Sequence, residues 1–148
     1  MVWGTFGYSG FGNIVILPKG IKLNTERYVQ LLENNLAECF AKTGTEILQQ
    51  EGARCYTSRA AKNWFSDNEI DIIEDWPGHT RDISPIKNLW GIMKGSLWKL
   101  DTLTVPKLEI ALCLVCGDIP PSHCQNLAAS VPQHLHQVIK AKGFPIPK

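Results

Sequence analysis

The chain has 148 residues, 44% hydrophobic, 20% charged and 9% aromatic, the length of one domain and the composition of a globular rather than a disordered protein. Fifteen basic against fourteen acidic residues give a formal charge of +1, so no global positive field advertises a nucleic-acid partner and any DNA contact has to be local. No apolar run approaches the roughly 18 residues of a membrane span, and the opening MVWGTFGYSGFG lacks both a basic n-region and a continuous apolar h-region, which argues against insertion and secretion.

Two β-like runs open the chain, Val2 to Tyr8 and Asn13 to Leu17, and the Gly-rich signal Ser9-Gly10-Phe11-Gly12 between them predicts an antiparallel hairpin. After Asn24, residues Tyr28, Leu31, Leu32, Leu36, Cys39 and Phe40 share one face of an amphipathic helix capped by Asn24. A short run, Thr45 to Gln49, precedes a helix starting near Ser58 and holding Ala61, Trp64 and Phe65, and Ile70 to Ile73 alternates like a strand. Strands alternating with helices predict an α/β layered architecture with parallel pairing and exclude a sandwich or a bundle.

Pro77 to Pro85 reads as a loop, followed by a helix with Leu89, Trp90, Met93 and Leu97 on one stripe. Val105 to Cys116 is apolar all round, Ser130-Val131-Pro132 reads as a helix start, and Gly143 as a stop. The five cysteines, Cys39, Cys55, Cys113, Cys116 and Cys124, are an odd set spread over periodic segments. They read as free thiols of a nuclear or cytoplasmic protein rather than a disulfide framework.

The most specific stretch is Trp76-Pro77 with Asp82-Ile83-Ser84-Pro85-Ile86-Lys87-Asn88-Leu89-Trp90-Gly91. Upstream lie Val2-Trp3-Gly4, then Leu48-Gln49-Gln50-Glu51-Gly52-Ala53 with Thr57-Ser58, and then Trp64-Phe65. Downstream lie Asn126-Leu127, Ser130-Val131-Pro132, Val138-Ile139 and Ala141-Lys142-Gly143. In this order the segments resemble the Tc/mariner-superfamily transposases, whose catalytic domain carries a VWG strand opening, a QQDNA-type strand end and a WPxxSPDLNPIENLWG-type loop and helix.

The resemblance implies a ribonuclease-H-like fold, a mixed sheet flanked by helices, over residues 1–148 as one truncated domain with a flexible tail at 144–148. It implies an ancestral chemistry of phosphoryl transfer at DNA ends, with three carboxylates holding two divalent metals. By the same resemblance the first acid, upstream of the VWG segment, has no counterpart here. The second position is Glu51, one methylene longer than the family's Asp and a weak metal candidate. The third is Lys87, a cation in place of a metal ligand. At about 5 Å and an effective dielectric of about 20, an ammonium and a divalent metal repel by roughly 7 kcal/mol. Asp82 belongs to the loop motif and is not one of the three acids, so the catalytic set is not intact and no cofactor is expected at the degenerate Mg/Mn site.

The first strand of such a fold is central, so its loss predicts a slot between the opening hairpin and the later strands. Either the halves close up or the domain is weakly folded, since orphaned backbone groups are costly. Arg54, Arg59, Lys62 and Arg81 are the candidate phosphate contacts, weighed against the plain reading of solvated faces. Sequence-specific recognition is not expected without a helix-turn-helix module. Cys113, Cys116, His123 and Cys124 invite a zinc reading, but core packing of Cys113 and Cys116 is favoured. Cys55 lacks a His to activate it, and His134 and His136 face different sides of a helix. The tryptophans Trp3, Trp64, Trp76, Trp90 and Trp98 read as core rather than as base-stacking platforms.

The expectation is a transposable-element-derived protein without transposase activity, whose partners are DNA bound without sequence specificity, a full-length transposase or another protein. The competing readings are a protein-interaction module completed by β-augmentation, in which a dominant-negative role toward a full-length transposase is included, and a metal-dependent nuclease, which the altered acids disfavour.

Overall fold

Hairpin, helix, strand, helix, strand and three further helices follow one another in the computed structural model, which describes residues 1–76 and 83–144. Strands β1 (Val2–Gly7) and β2 (Gly10–Ile16) pair antiparallel around the two-residue turn Tyr8-Ser9. The turn is thus shorter than the Gly-rich signal suggested, and Gly10 to Gly12 belong to the strand. The register shifts between Gly4 and Phe6. There Thr5 Oγ1 accepts from the Asn13 N–H at 3.2 Å, which occupies a donor that the interrupted ladder would otherwise leave open.

Helix α1 (Thr25–Thr43) begins where Asn24 Oδ1 accepts from the Arg27 N–H at 2.9 Å, and it ends at Gly44, whose φ of 63° closes the helix through a bond to the Phe40 carbonyl. Strand β3 (Ile47–Leu48), helix α2 (Arg59–Asp67), capped by Ser58, and strand β4 (Asp71–Ile72) come next, with β3 and β4 parallel as the alternation predicts. Helices α3 (Pro85–Leu97), α4 (Val105–Gly117) and α5 (Pro121–Lys140) complete the order.

The hairpin lies between two helical layers. Trp3, Val15 and Leu17 on one face pack with Tyr28, Leu31, Leu32, Leu36 and Cys39 of α1 and with Ala61 and Phe65 of α2. Val2, Phe6, Ile14 and Ile16 on the other face pack with Leu89 and Met93 of α3, Leu112, Val115 and Cys116 of α4, and Cys124 of α5. This is the expected α/β layering. Among the described residues the strands form two separate two-stranded sheets, β1–β2 and β3–β4. Between them runs a cleft of about 550 Å³, so the halves do not close on each other.

Three further expectations change. Ser130-Val131-Pro132 does not start a helix: α5 begins at Pro121 and carries Pro132 inside it, because Cys124 in the first turn is fully buried and anchors the earlier segment. The interior proline removes only its own N–H bond to the Ala128 carbonyl. Trp98 is 89% exposed and not core, lying at the α3 C-cap beyond the stripe of Leu89 and Met93. Cys113 is exposed while Cys116 is buried, because α4 is covered on one side only. Of the predicted loop from Pro77 to Pro85, residues 77–82, with Arg81 and Asp82, lie outside the described residues, and Ser84 and Pro85 are already the N-cap and first residue of α3; of the tail at 144–148, residues 145–148 lie outside them. No helix among the described residues is long and apolar enough to cross a membrane.

Candidate site at the exit of β3

Glu51 follows directly on β3 and its two glutamines. The chain is held there by Gln50: Tyr28 Oη donates to Gln50 Oε1 at 2.5 Å, and Gln50 Nε2 donates to the Tyr56 carbonyl at 3.2 Å. The two tyrosine rings pack at 4.4 Å between centroids. Burial pushes the Tyr28 phenol far above its ordinary range and raises that of Tyr56 as well, so Tyr28 stays a hydrogen-bond donor.

From the other side comes the start of α3. Pro85 at N1 supplies the helical φ and lacks only an N–H that would be orphaned anyway. Ser84, fully buried at the N-cap, does not cap its helix with its side chain. Its Oγ donates instead to Glu51 Oε1 at 3.0 Å. One turn on, Lys87 Nζ lies 3.0 Å from the same Oε1. The two side chains are 33% and 34% exposed, and they face the cleft between the sheets. The positive end of α3 adds to the pull on the carboxylate.

The two altered acid positions singled out from the sequence are thus brought into direct contact, with the ammonium on the carboxylate. The donor set among the described residues does not fit a divalent cation: it offers one carboxylate, of which one oxygen already receives a hydroxyl and an ammonium. Among the described residues no three His, Cys, Asp or Glu side chains gather around a common point. Ser84, Gln50, Tyr28 and Tyr56 are the site residues that sequence reasoning missed. Ser84 and Gln50 stand inside the quoted motifs, but only the packing of α3 against the β3 exit gives them partners.

The remaining candidates lie elsewhere. Arg54, Arg59 and Lys62 are exposed, Arg54 in the turn before α2 and the other two one helical turn apart on it; Arg81 is outside the described residues. Cys116 and Cys124 sit in the second core, where burial pushes Cys116 up to about 11 and raises Cys124. Exposed Cys113 does not share that environment. The VWG and NLWG landmarks meet in space: a Cβ on Gly4 would lie 3.0 Å from Trp90 Cη2, so the missing side chain is what lets the indole lie on β1.

No protein-family model matches the chain. The Tc3 transposase of Caenorhabditis elegans is 27% identical over 150 residues, spanning 99% of this chain and 45% of that protein. The Tcb1 transposase of Caenorhabditis briggsae is 30% identical over 149 residues, 98% of this chain and 53% of that protein. The chain therefore spans about half the length of these curated relatives. Among solved structures, the catalytic domain of the Mos1 mariner transposase superposes with a TM-score of 0.88 at 16% identity, over 99% of this chain and 75% of that one. The same catalytic domain has been solved with Raltegravir and Mg and with Raltegravir and Mn. The homologues of this chain are thus Tc1/mariner transposases, aligned along nearly its whole length, and its fold is the ribonuclease-H-like fold of a mariner transposase catalytic domain.

Proposed function

We propose that this chain is a transposase-derived domain that keeps the catalytic-domain fold and has lost metal-dependent strand cleavage. The observation that carries the reading is the Glu51–Lys87 ion pair. An ammonium beside the Glu51 carboxylate supplies the positive charge that a metal would bring, and it repels a metal by several kcal/mol at an effective dielectric of about 20. Among the exposed cations, Arg54, Arg59 and Lys62 lie close together in sequence just after Glu51 and are suited to phosphate contact without base readout. The nucleus or the cytoplasm is the compartment in which such contact would be made.

The test is a plasmid-nicking assay of the purified chain with Mg or Mn. The expected result is no nicking above the metal-free control, and metal-dependent nicking that disappears in Glu51→Ala would sink the reading. Lys87→Glu gives a second readout. With two carboxylates at the site, Mn should raise the melting temperature of this variant and leave that of the parent unchanged. A parent that responds to Mn as the variant does would count against the ion pair as the reason for silence.

A further inference from the structure

We propose that the open face of α4 is a self-association site, on which a second copy of this chain packs its own α4 antiparallel about a two-fold axis. The inference goes beyond the catalytic reading and does not rest on it.

Helix α4 is apolar all round but covered on one side. Ala111, Leu112, Val115 and Cys116 are buried, whereas Ile110 and Leu114 are 63% and 58% exposed, and Pro106, Cys113 and Gly117 are open to solvent beside them. Pro106, Ile110, Cys113 and Gly117 follow at intervals of four, three and four, the spacing of a seam between two packed helices. Counted outward from the midpoint between Ile110 and Cys113, this seam is its own complement. An antiparallel copy sets Ile110 against the partner's Cys113 and Pro106 against the partner's Gly117, large beside small at each level. The room is there, since a Cβ on Gly117 would meet nothing within 4 Å.

Charge fixes the direction. Lys107 stands in the first turn of α4 and Asp118 at its C-cap, each at the end where the helix dipole disfavours it. Both lie on the Leu114 flank of the seam, seven residues before and four residues after it. The antiparallel partner presents the same flank, so each Lys107 comes within about 3 Å, measured along the helix, of the partner's Asp118. A parallel partner would instead gather like charges at each end. Lys107 also pairs with Asp101, which takes one of its three N–H groups and leaves two for the partner.

The area suits a second copy. Trp98, Leu100, Leu103 and Val105 lead into α4 and are exposed as well, Leu103 to 91%. With Ile110 and Leu114 they leave about 600–800 Å² of apolar surface open. That is at or above the largest patch of a typical monomer, about 300–600 Å², and close to the roughly 800 Å² per partner of a stable complex. A foreign apolar helix would match the stripe alone, whereas the chain's own sequence supplies the complementary steps and both charge pairs.

The experiment is sedimentation equilibrium of the whole chain from about 1 to about 200 μM, a range that spans micromolar association. The mass should climb from the 16.5 kDa of one chain toward twice that value. Ile110→Glu, at an exposed side chain, should hold it at one chain and leave the urea midpoint of the dilute protein unchanged. Lys107→Glu and Asp118→Lys should each weaken association about fivefold or more, and the double variant should recover it to within about twofold. Both exchanges suit the helix dipole, so lost association would not report lost folding. Cys113 is the exposed thiol of the five, and the two-fold sets the two copies of it about 5 Å apart along helices about 8–10 Å apart. A short bis-maleimide should therefore join the parent chains and join neither Cys113→Ser nor Ile110→Glu. The proposal is overturned by a mass that stays at one chain throughout, by a dimer that survives Ile110→Glu, by a double charge variant no better than the single ones, or by cross-linking that ignores Ile110→Glu.

Discussion

The β1–β2 hairpin and the β3–β4 pair are built from equally apolar runs, yet one reaches six and seven residues and the other two and two. The difference lies in what covers them. The hairpin has the first core on one face and the second core on the other. Among the described residues the β3–β4 pair joins only the first core, through Leu48, Ile70 and Ile72; Ile47 and Ile73 on its other face are 58% and 45% exposed and border the cleft. A parallel pair is ordinarily buried on both faces. Among the described residues the second helical layer covers the hairpin and meets the β3 side only at its exit, where Ser84 and Lys87 reach Glu51, and the ladder stays short.

The largest effect should come from breaking the apolar attachment. Phe65 of α2 is 2% exposed in the first core, and Phe65→Ala should cost about 3–5 kcal/mol, or about 10 °C or more in melting temperature. Leu89→Ala, at the corresponding depth of the second core, should cost about 2–5 kcal/mol. The two should differ in where they loosen the chain. Amide exchange at Ile72 and Ile73 should accelerate beyond the global change in Phe65→Ala and only in step with it in Leu89→Ala. Equal local acceleration in both variants would mean that the second core supports β3–β4 after all.

How far the sequence reaches follows the same division. Local signals are legible where the chemistry is local: Asn24 and Ser58 are read as helix starts and are found capping Arg27 and Ala61. Ser130-Val131-Pro132 carries an equally local signal and is overruled, since burial of Cys124 fixes the helix start nine residues earlier, at Pro121. In α4 an all-round apolar pattern has no face to read, so the exposure of Cys113 and Leu114 beside buried Cys116 depends on which neighbours arrive. At the site, Glu51 and Lys87 stand out by resemblance. Their mutual contact and the diversion of the Ser84 hydroxyl from capping to the carboxylate arise only from long-range packing.

A middle-sized effect tests how the hairpin is fastened to α1 at its turn end. A Cβ on Gly7 would lie 2.7 Å from Thr43 Cβ and 2.9 Å from Thr45 Cγ2. Neither threonine can step aside freely. Thr43 Oγ1 donates to the Cys39 carbonyl at 2.8 Å, and the two hydroxyls are 2.7 Å apart. Gly7→Ala should therefore cost about 1–3 kcal/mol, read as a lower urea midpoint with an unchanged m-value. A neutral result would show that the α1 C-terminus yields to the hairpin, and would place the hairpin's rigidity in its two cores alone.

The smallest effect concerns the polar side of the same junction, and its sign is set by charge. Lys42 Nζ lies 2.8 Å from Glu38 Oε1 and donates to Asn13 Oδ1 at 2.6 Å, while Asn13 Nδ2 donates to Glu38 Oε2 at 2.9 Å, so β2 and α1 share one exposed cluster. Hydrogen bonds from Lys42 and then Asn13 hold the Glu38 carboxyl below its usual value of 4.5. A carboxyl depressed by folding stabilises the folded state above its unfolded pKa, and that contribution is lost as the pH falls through the folded value. Glu38→Gln should accordingly melt slightly below the parent at pH 7 and converge with it toward pH 3. The gap should also narrow in high salt, because an exposed pair is screened. A gap that persists at pH 3 would mean that Glu38 acts through its packing stem or a neutral hydrogen bond, and the hairpin would then be fastened to α1 without help from charge.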